Sequence, residues 1–376
     1  MVATDQWFPL FTGGAARFAA EQAAHLAAAG HEVHVLAPGG MDIPHPLQRA
    51  GSINRLGLPA TFADPVATFV AARAARRTRF DVVLAHQVTT AYGCARALAG
   101  TPLVFVFHAS AAREARVRGT VGGKREWLKA AVLARVLAWL EHRVAASAAA
   151  IVPLSEYSNR LLAEDQPTAG GRIERLSGAV DTSVFRPEEP DVLDPQPSLL
   201  VVRRLEDGLG VEQALEAVAE LAADGPLVVN VAGDGPAAAR LKARARDLGL
   251  GDTVRFLGNV PSSELVAWYR RSHAVLIPPA PHEGFGLAAL EALACARPAV
   301  GHGGALSALL GNLDESLVAT DGSPQALAAA VRRALGLAGD PAFRGRCRAY
   351  ALENFSWSRV VPRWNALLEQ VAGPRA

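Results

Sequence analysis

Short apolar runs alternate with longer alanine- and leucine-rich segments of helical periodicity along the whole chain. The short runs predict buried parallel strands, and the longer segments predict the helices that connect them in βαβ units. The pattern therefore predicts an α/β fold with parallel sheets. The predicted strands are residues 32–36, 81–84, 103–107 and 150–152 in the first half of the chain and residues 199–202, 227–231, 253–257, 274–277 and 298–300 in the second.

One segment between the two groups of strands breaks the pattern. Residues 186–197, RPEEPDVLDPQP, hold four prolines and four acidic residues, and proline continues neither a helix nor a central strand. We interpret this segment as a linker between a Rossmann-like domain over residues 1–185 and a second one over residues 198–354. Doubly wound sheets bind ligands at the carboxyl ends of their strands, so we expect the two domains to face a shared cleft.

Composition excludes several classes of protein. Lys and Arg number 38 against 36 Asp and Glu, and the net charge of +2 is too small for the broad basic field of a general nucleic-acid binder. Half of the residues are hydrophobic, as in a globular protein with large cores. The three cysteines lie far apart without metal-ligand spacing, so we predict neither a disulfide framework nor a metal site.

The sequence predicts neither a membrane span nor a secretory signal. The most apolar stretch, residues 130–153, contains Arg135, Glu141, His142 and Arg143 and is too polar for a spanning helix. The N-terminus shows no charged leader followed by an apolar stretch. We therefore expect a cytosolic protein whose membrane contact, if it has any, is peripheral and at the inner membrane surface.

Two glycines, Gly13 and Gly14, follow a short first strand within residues 1–4 and a turn, and they precede an amphipathic segment that is followed by Gly30. Glycines at a strand-to-helix turn let a ligand approach the amides of the helix N-terminus, where an anion is favoured. Two glycines that only form a turn fit the same sequence. The dinucleotide fingerprint GxGxxG is absent.

A second candidate element follows the apolar run 274–277. Glu283 precedes a glycine-rich turn, and Glu291 lies eight positions later in a predicted helix. Carboxylates accept hydrogen bonds from hydroxyl groups, so a pair at this spacing suits a sugar or a ribose. Two solvated helix glutamates are the simpler interpretation of the spacing alone. The flanking glycines and the preceding strand favour the functional interpretation.

In the order and spacing of short motifs, essentially the whole chain resembles the retaining GT-B-fold glycosyltransferases of family 4. The hallmark of that family is a glutamate, seven residues and a second glutamate, with EGFG at the first member, as at Glu283 and Glu291. The other matching motifs are FPLFTGG at 8–14, GHEVHVLAP at 30–38, FVFHAS at 105–110, LSEYS at 154–158, SGAVDTSVFRP at 177–187, Arg204 with Leu205, GDGP at 233–236, RFLGNV at 255–260 and FSW at 355–357.

The resemblance implies a GT-B fold, in which two Rossmann-like doubly wound domains face a cleft. It implies that residues 355–376 return as a helix to the N-terminal domain. The implied activity is transfer of a sugar, with retained anomeric configuration, from a nucleotide diphosphate sugar to a glycan, lipid-linked or natural-product acceptor. Neither a metal nor another cofactor is implied, because fixed hydrogen-bond donors and a helix N-terminus stabilise the leaving diphosphate.

Three residues take catalytic roles through the resemblance. His108 would lie near the transferred sugar, Arg204 would contact the diphosphate, and Glu283 would bind sugar hydroxyls. A lone histidine after an apolar strand is more often a structural residue, but the carboxyl end of a strand is where such sheets bind ligands. Arg204 alone reads equally as a surface cation.

Other residues take binding roles through the resemblance. Gly13 and Gly14 would line the donor phosphate and acceptor region, and Glu291 would hold the ribose hydroxyls. The backbone amides that would approach the sugar and the phosphate are those of Phe285, Gly286 and Leu287.

The chain departs from the family pattern at positions that belong to the donor site. Leu209 replaces a lysine that supplies the second cation for the diphosphate, and Arg203 stands where glycine is usual. We therefore include Arg203 among the nucleotide-binding residues, as compensation for Leu209. Ala296 replaces a glycine, and Ser307 replaces a glutamate.

These departures leave two interpretations open, an enzyme with altered donor preference and a catalytically impaired partner subunit with a weakened nucleotide site. A dinucleotide-dependent oxidoreductase is disfavoured by the missing fingerprint, while a GT-B epimerase or phosphorylase is distinguished only by its product.

A basic segment between residues 113 and 143 bears on partners. A basic amphipathic helix suits an anionic membrane surface, and its arginines suit a phosphorylated acceptor. A domain helix that packs its apolar face on the sheet fits the same pattern. The basic residues are Arg113, Arg116, Arg118, Lys124, Arg125, Lys129, Arg135 and Arg143, and the apolar ones are Leu128, Val132, Leu133, Val136, Leu137 and Leu140.

Overall fold

The computed structural model describes residues 1–8, 13–39, 42–53, 60–119, 124–280 and 283–374. Contacts divide the chain into two compact units. The first comprises Met1–Gly178 and Trp357–Ala376, and the second comprises Ala179–Ser356. The domain boundaries predicted above, at 185/186, 197/198 and 354/355, stay predictions beside this division.

The sheet of the first unit has six parallel strands in the order β3-β2-β1-β4-β5-β6. Its central strands are buried on both faces, as parallel sheets covered by helices require. The order reverses between β1 and β4, which creates a switch point at the carboxyl ends of these two strands. The strands are β1 (Val2–Ala3), β2 (His34–Pro38), β3 (Gln48–Ile53), β4 (Val83–Ala85), β5 (Leu103–Phe107) and β6 (Ala150–Pro153).

Helices connect most successive strands of this sheet, whereas the described residues between β2 and β3 form no helix. The chain segment before β4 and the two segments between β4 and β6 supply a group of neighbouring helices, of which α3 contacts both α2 and α5. The helices are α1 (Gly14–Ala28), α2 (Ala60–Ala74), α3 (Val88–Ala97), α4 (Ala111–Gly119), α5 (Lys124–Ser147) and α6 (Glu156–Asp165). Among the described residues, no helix has the length and apolar character needed to cross a membrane.

The sheet of the second unit has five parallel strands in the order β11-β10-β7-β8-β9, with its switch point between β7 and β10. The strands are β7 (Ser198–Val202), β8 (Val228–Ala232), β9 (Val254–Gly258), β10 (Ala274–Leu276) and β11 (Ala299–Val300). The helices are α7 (Val211–Ala222), α8 (Ala238–Asp247), α9 (Ser262–Arg271), α10 (Leu287–Ala294), α11 (Gly304–Gly311), α12 (Pro324–Ala338) and α13 (Pro341–Phe355).

The prediction of parallel α/β sheets in both halves is confirmed, with one strand missed. Strand β3 has the sequence QRAGSI, and only its last residue is buried. Such an edge strand carries no apolar run, because most of its side chains remain in contact with solvent.

Two segments at the borders of the units are held by specific contacts. Residues 186–197 contain neither helix nor strand, and Asp191 forms ion pairs with the buried Arg297 and with Arg344 in the second unit. The last helix, α14 (Trp357–Ala372), packs on α1 of the first unit. There, the Trp357 indole N–H donates to Glu21 at 2.9 Å.

Candidate functional site

The loops after β7 and β10 build the candidate site of the second unit. Arg203 and Arg204 follow the last residue of β7, and Glu283 follows β10, so the strand order brings their backbones to the same edge of the sheet. Gly233, directly after β8, lets the neighbouring loop pack against Arg203: at its φ of +151°, an added Cβ would lie 1.8 Å from the carbonyl oxygen of Arg203. Two further residues of the predicted segment, Pro281 and His282, lie outside the described residues.

The Glu283 carboxylate is held through both oxygens. Its Oε2 accepts a hydrogen bond from Arg203 Nη1 at 2.5 Å, and its Oε1 accepts from the Gly286 amide at 3.1 Å. Its backbone carbonyl accepts from the Ala305 amide at 2.9 Å. Both side chains of the ion pair are mostly buried, at 15% exposure for Arg203 and 17% for Glu283. A partly buried, charge-assisted pair of this kind fixes a carboxylate more firmly than a surface pair does.

Helix α10 begins directly beside this carboxylate. Gly286 is its N-cap, with φ of +84°, in the left-handed region that glycine adopts without strain. The first amides of any helix lack intrahelical partners and favour an anion. The predicted binding amides of Phe285, Gly286 and Leu287 therefore stand at the start of a helix that follows the Glu283 loop, and the Gly286 amide already donates to Glu283.

Glu291 lies one helical turn deeper and is nearly inaccessible, with 3% of its surface exposed. Its Oε2 accepts a hydrogen bond from the Tyr269 hydroxyl of α9 at 2.6 Å. Tyr269 was not among the predicted site residues. Position 269 shows no motif signal in the sequence, since one tyrosine in an amphipathic helix is ordinarily a core residue.

The two arginines after β7 have different surroundings. Arg204 is 48% exposed and donates to Glu206 at 2.8 Å, whereas Arg203 points to Glu283. The Nε of Arg203 is buried without a hydrogen-bond partner. Leu209 is partly buried and adds no charge at the position where a second cation was expected.

Two departures from the family pattern have local structural consequences. Ala296 has φ of +59° and is the single non-glycine residue of the described chain with positive φ, a conformation that costs an L-residue about 1 kcal/mol or more. Ser307 Oγ accepts a hydrogen bond from the Gly303 amide at 3.0 Å and thereby occupies the start of α11.

In the first unit, His108 at the end of β5 meets a second histidine at the end of β4. His86 Nδ1 and His108 Nε2 are 3.1 Å apart, and the Phe18 ring of α1 packs edge-on against both imidazoles. Burial lowers the pKa of His108 to about 4 and lowers that of His86 well below its usual value, with His108 as a second cause. Both imidazoles are therefore neutral at pH 7.

Sequence reasoning missed His86, although a signal was present. His86 ends the apolar run of β4 as His108 ends that of β5, and neighbouring parallel strands place such residues side by side. Its Nε2 is buried without a hydrogen-bond partner. Gly13 is the N-cap of α1 and Gly14 its first residue, while residues 9–12 of the same motif lie outside the described residues.

A buried carboxylate supports the turn that follows His108. Glu141 of α5 accepts hydrogen bonds from the Ser110 hydroxyl at 3.2 Å and from the Ala112 amide at 3.3 Å, at the start of α4. Burial raises the pKa of Glu141 to about 7, against the opposing effect of these hydrogen bonds. Among the described residues, no group of three or more His, Cys, Asp or Glu side chains is arranged to hold a metal ion.

The outer surface of α2 and α5 combines exposed apolar and basic side chains. On α5, Leu128 is 59% exposed and Trp139 is 53% exposed, so only part of the predicted apolar face packs on the domain. The other exposed apolar residues are Val66 and Val70 on α2 and Trp127 and Val132 on α5, and the exposed basic residues are Arg73, Arg76, Arg77, Arg125, Lys129, Arg135 and Arg143. The side chains of Arg118 and Lys124 lie outside the described residues.

Comparison with known protein families matches both halves of the chain. Residues 12–184 match the model of Glycosyltransferase Family 4, and residues 186–353 match that of Glycosyl transferases group 1. Each half of the chain therefore matches a glycosyltransferase family model.

Individual relatives agree with these models. The chain is 30% identical over 309 residues to a D-inositol 3-phosphate glycosyltransferase of Streptosporangium roseum, which covers 76% of this chain and 68% of the relative. It is 36% identical over 160 residues to a GDP-mannose-dependent alpha-(1-6)-phosphatidylinositol dimannoside mannosyltransferase of Mycobacterium tuberculosis, which covers 42% of this chain. The matched stretch spans 39% of that relative's length.

Among solved structures, sucrose-phosphate synthase from Thermosynechococcus elongatus has a TM-score of 0.81 to this chain over 98% of both chains. At 19% sequence identity, this similarity shows a shared fold.

Proposed function

The chain belongs to family 4 of the GT-B glycosyltransferases, and on this basis we propose that it transfers a hexose from a nucleotide diphosphate sugar to an acceptor hydroxyl. The observation that carries the proposal is the Glu283 carboxylate, held by Arg203 and by the Gly286 amide immediately before helix α10. This arrangement places carboxylate oxygens, which accept hydrogen bonds from sugar hydroxyls, next to backbone amides that bind anions. A sugar attached to a diphosphate requires both.

The proposed transfer retains the anomeric configuration. The bond from C1 of the sugar to the diphosphate oxygen breaks, and the acceptor oxygen forms a bond to C1 on the same face. The acceptor's proton passes to the leaving phosphate oxygen. Charge builds on the diphosphate during this step, and the start of α10 with the arginines after β7 supplies positive potential for it without a metal.

Arg203 has two tasks in this proposal. One of its N–H groups holds Glu283, and guanidinium has five N–H donors in total. Its remaining donors serve the diphosphate, where Leu209 supplies no charge. Arg204, which is half exposed and forms an ion pair with Glu206 at 2.8 Å, is the second cation for the same group.

His108 contacts the transferred sugar in the proposed complex. Its imidazole is neutral at pH 7 because burial lowers its pKa to about 4. It therefore acts as a hydrogen-bond partner of sugar hydroxyls and does not carry a charge against the diphosphate.

Similarity to named relatives suggests the classes of substrate. The mycobacterial relative is named for GDP-mannose and a phosphatidylinositol dimannoside, and the Streptosporangium relative for inositol phosphate. We include hexose donors with either UDP or GDP, and we take the acceptor to be a glycan, a lipid-linked or a natural-product hydroxyl compound.

Thermal shift tests the donor site. UDP, GDP, ADP and TDP are added with and without magnesium, since a ligand at about 100 times its dissociation constant raises the unfolding free energy by about 2.7 kcal/mol. We expect one nucleoside diphosphate to stabilise the protein without magnesium, and Glu291→Ala to abolish the shift. Product analysis by NMR then reports the anomeric configuration. An inverted product contradicts the retaining mechanism, and a shift that requires magnesium contradicts the metal-free site.

A second candidate function, a catalytically impaired partner subunit, is favoured by Leu209. Slow hydrolysis of the donor in the absence of acceptor separates the two candidates. We expect measurable hydrolysis that is lost in Glu283→Gln. Binding of a nucleotide without any turnover, in the presence of a broad acceptor panel, supports the partner subunit instead.

The exposed surface of α5, within the basic segment 113–143, is proposed as a contact for an anionic membrane. Its described exposed charges on α5 are basic, and apolar side chains such as Leu128 and Trp139 stand between them. Each Lys or Arg near an anionic lipid surface contributes about 1 kcal/mol. The basic charges and the exposed apolar side chains therefore both favour binding to an anionic membrane.

Flotation with vesicles that contain phosphatidylglycerol tests this contact. Binding that weakens with salt and is reduced in Arg135→Gln and in Trp139→Gln supports it. Val192→Gln is the matched control, because Val192 is a 63% exposed apolar residue of the second unit. Absence of binding at low salt, or an equal loss in the control, contradicts the proposal.

A further inference from the structure

The hydrogen bond between Tyr269 and Glu291 links the nucleotide site proposed above to helix α9. The Tyr269 hydroxyl donates to Glu291 Oε2 at 2.6 Å, within the short range typical of an O–H donor on a carboxylate. Tyr269 is fully buried and Glu291 is 3% exposed. Removing one donor from so buried a carboxylate takes away part of the compensation that burial demands.

A glutamate carboxylate needs such a partner in order to have one orientation. The last torsion of a glutamate side chain is broad and roughly two-fold, so rotamer preference alone does not set the plane of the carboxylate. A hydrogen bond to one oxygen sets this plane, and it thereby sets where the other oxygen points.

Tyr269 is itself held rigidly. Its ring packs edge-on against Phe185, with ring centroids 5.8 Å apart and planes at 82°. One helical turn after Glu291, burial, followed by the Glu291 charge, raises the pKa of the Cys295 thiol to about 12. That thiol stays neutral at pH 7 and therefore adds no second negative charge beside Glu291.

We propose that Tyr269 is a positioning residue of the donor site, whose hydroxyl orients the Glu291 carboxylate toward the ribose hydroxyls of the nucleotide. This inference rests on the proposed function, because it takes Glu291 as the ribose-binding residue. Tyr269 acts through Glu291 and does not contact the nucleotide.

Calorimetric titration with paired nucleotides tests the inference. UDP and GDP are each compared with their 2′,3′-dideoxy analogues, which lack the hydroxyl groups that Glu291 would bind. We expect the wild type to prefer the ribonucleotide by about 10-fold or more, as expected for hydrogen bonds to a charged group. Tyr269→Phe, which keeps the ring, lowers this preference by about 10-fold while binding of the dideoxy form stays unchanged.

Tyr350→Phe is the matched control. Tyr350 lies in the same unit and donates its hydroxyl to the Leu309 carbonyl at 3.0 Å, so this variant removes a tyrosine hydroxyl that is bonded to a backbone carbonyl and not to Glu291. We expect its preference for the ribonucleotide to equal that of the wild type.

Three results overturn the inference in distinguishable ways. In the first result, the wild type prefers the ribonucleotide, Glu291→Ala removes this preference and Tyr269→Phe keeps it. Glu291 then binds the ribose, and Tyr269 has no part in orienting it. If Tyr269→Phe weakens both nucleotide forms equally, its role is structural. If the wild type shows no preference, the ribose role of Glu291 fails first and the inference fails with it.

Loss of the hydroxyl removes a hydrogen bond from a buried carboxylate, so Tyr269→Phe also needs a stability readout. Should the variant unfold below the assay temperature, the double variant Tyr269→Phe with Glu291→Gln is compared with Glu291→Gln alone, where the charge is absent. A lower preference for the ribonucleotide in the double variant supports positioning by Tyr269. An equal preference overturns it.

Discussion

Both units place polar groups at the ends of their strands, but these groups are charged in the second unit and neutral in the first. In the second unit, Arg203 and Glu283 form a mostly buried ion pair beside a helix N-terminus. In the first unit, His86 and His108 are packed against Phe18 and held neutral by burial.

This difference matches what each unit has to hold in the proposed reaction. The second unit has to hold a charged diphosphate, which requires cations and oriented amides, together with the sugar hydroxyls at Glu283. The first unit supplies uncharged hydrogen-bond partners such as His108, which suit a neutral sugar ring and an acceptor hydroxyl. The comparison therefore predicts that charge-neutralising variants damage the second unit's site most, and that the first unit's site responds mainly to pH.

The largest expected effect comes from Glu283→Gln. The amide keeps the shape but loses the charge that Arg203 pairs with, and it binds the sugar hydroxyls less strongly. We expect turnover of the donor to fall about 100-fold, the range seen when one preorganised electrostatic partner is removed. Initial rates at saturating donor measure this. Glu212→Gln is the control, because Glu212 is an exposed carboxylate that pairs with Arg240. It should keep the wild-type rate. A comparable loss of rate in this control would show that the effect of Glu283→Gln is not specific to the site.

Arg203→Ala separates the two tasks assigned to this arginine. Loss of a charge-assisted bond to a phosphate costs about 1.5–3 kcal/mol, so we expect nucleoside diphosphate to bind about 10- to 100-fold more weakly. Titration with a diphosphate and the corresponding monophosphate measures the effect, which should be smaller for the monophosphate. Unchanged affinity would show that Arg203 only holds Glu283 and does not supply the positive charge that is missing at Leu209.

The neutral histidine pair predicts a pH dependence of stability in the first unit. Burial lowers the pKa of His108 from 6.5 to about 4. Between these values the unfolded chain binds a proton that the folded chain excludes, so the free energy of unfolding falls as the pH drops from 6.5 toward 4. The slope contributed by His108 is on the order of 1 kcal/mol per pH unit.

Urea unfolding of the wild type and of His108→Asn at several pH values between 7.5 and 4.5 measures this slope. The variant removes the titrating imidazole, and the difference between the two curves separates its contribution from that of the carboxylates that titrate in the same pH range. Parallel curves would mean that the imidazole titrates normally and that the contrast between the units is wrong.

The smallest expected effect is a gain in stability from Ala296→Gly. At φ of +59°, glycine relieves backbone strain, which is partly offset by its larger entropy in the unfolded chain, for a net gain of about 0.5–1 kcal/mol. Thermal unfolding measures it. Ala288→Gly, within helix α10, should instead lose about 0.5–1 kcal/mol. A loss of stability in Ala296→Gly would show that the backbone at position 296 is not strained.

Much of the fold was predictable, because local patterns carry it. Parallel strands buried on both faces appear in sequence as short apolar runs, and they were located to within a few residues in both sheets. Strand β3 was missed since an edge strand lacks that run. The chemistry of the Glu283 loop was also visible, because the glutamate, the glycines and the helix start are contiguous in sequence.

The partners of those residues were not predictable. Arg203 pairs with a residue 80 positions away, and Tyr269 with one 22 positions away. The sequence suggested Arg203 as a ligand for the diphosphate, and the structure adds its ion pair with Glu283. His86 lies two residues after the predicted strand 81–84, yet only the adjacency of β4 and β5 gives it a histidine neighbour.

The sequence by itself determined the alternation of strands and helices, the contiguous glutamate element and the family. These depend on periodicity and on residues that are neighbours along the chain. The tertiary structure alone decided the ion pair of Glu283, the hydrogen bond of Glu291 and the histidine pair. The reason is that strand order and helix packing set distances between remote side chains, and these distances determine which groups are charged, neutral or oriented.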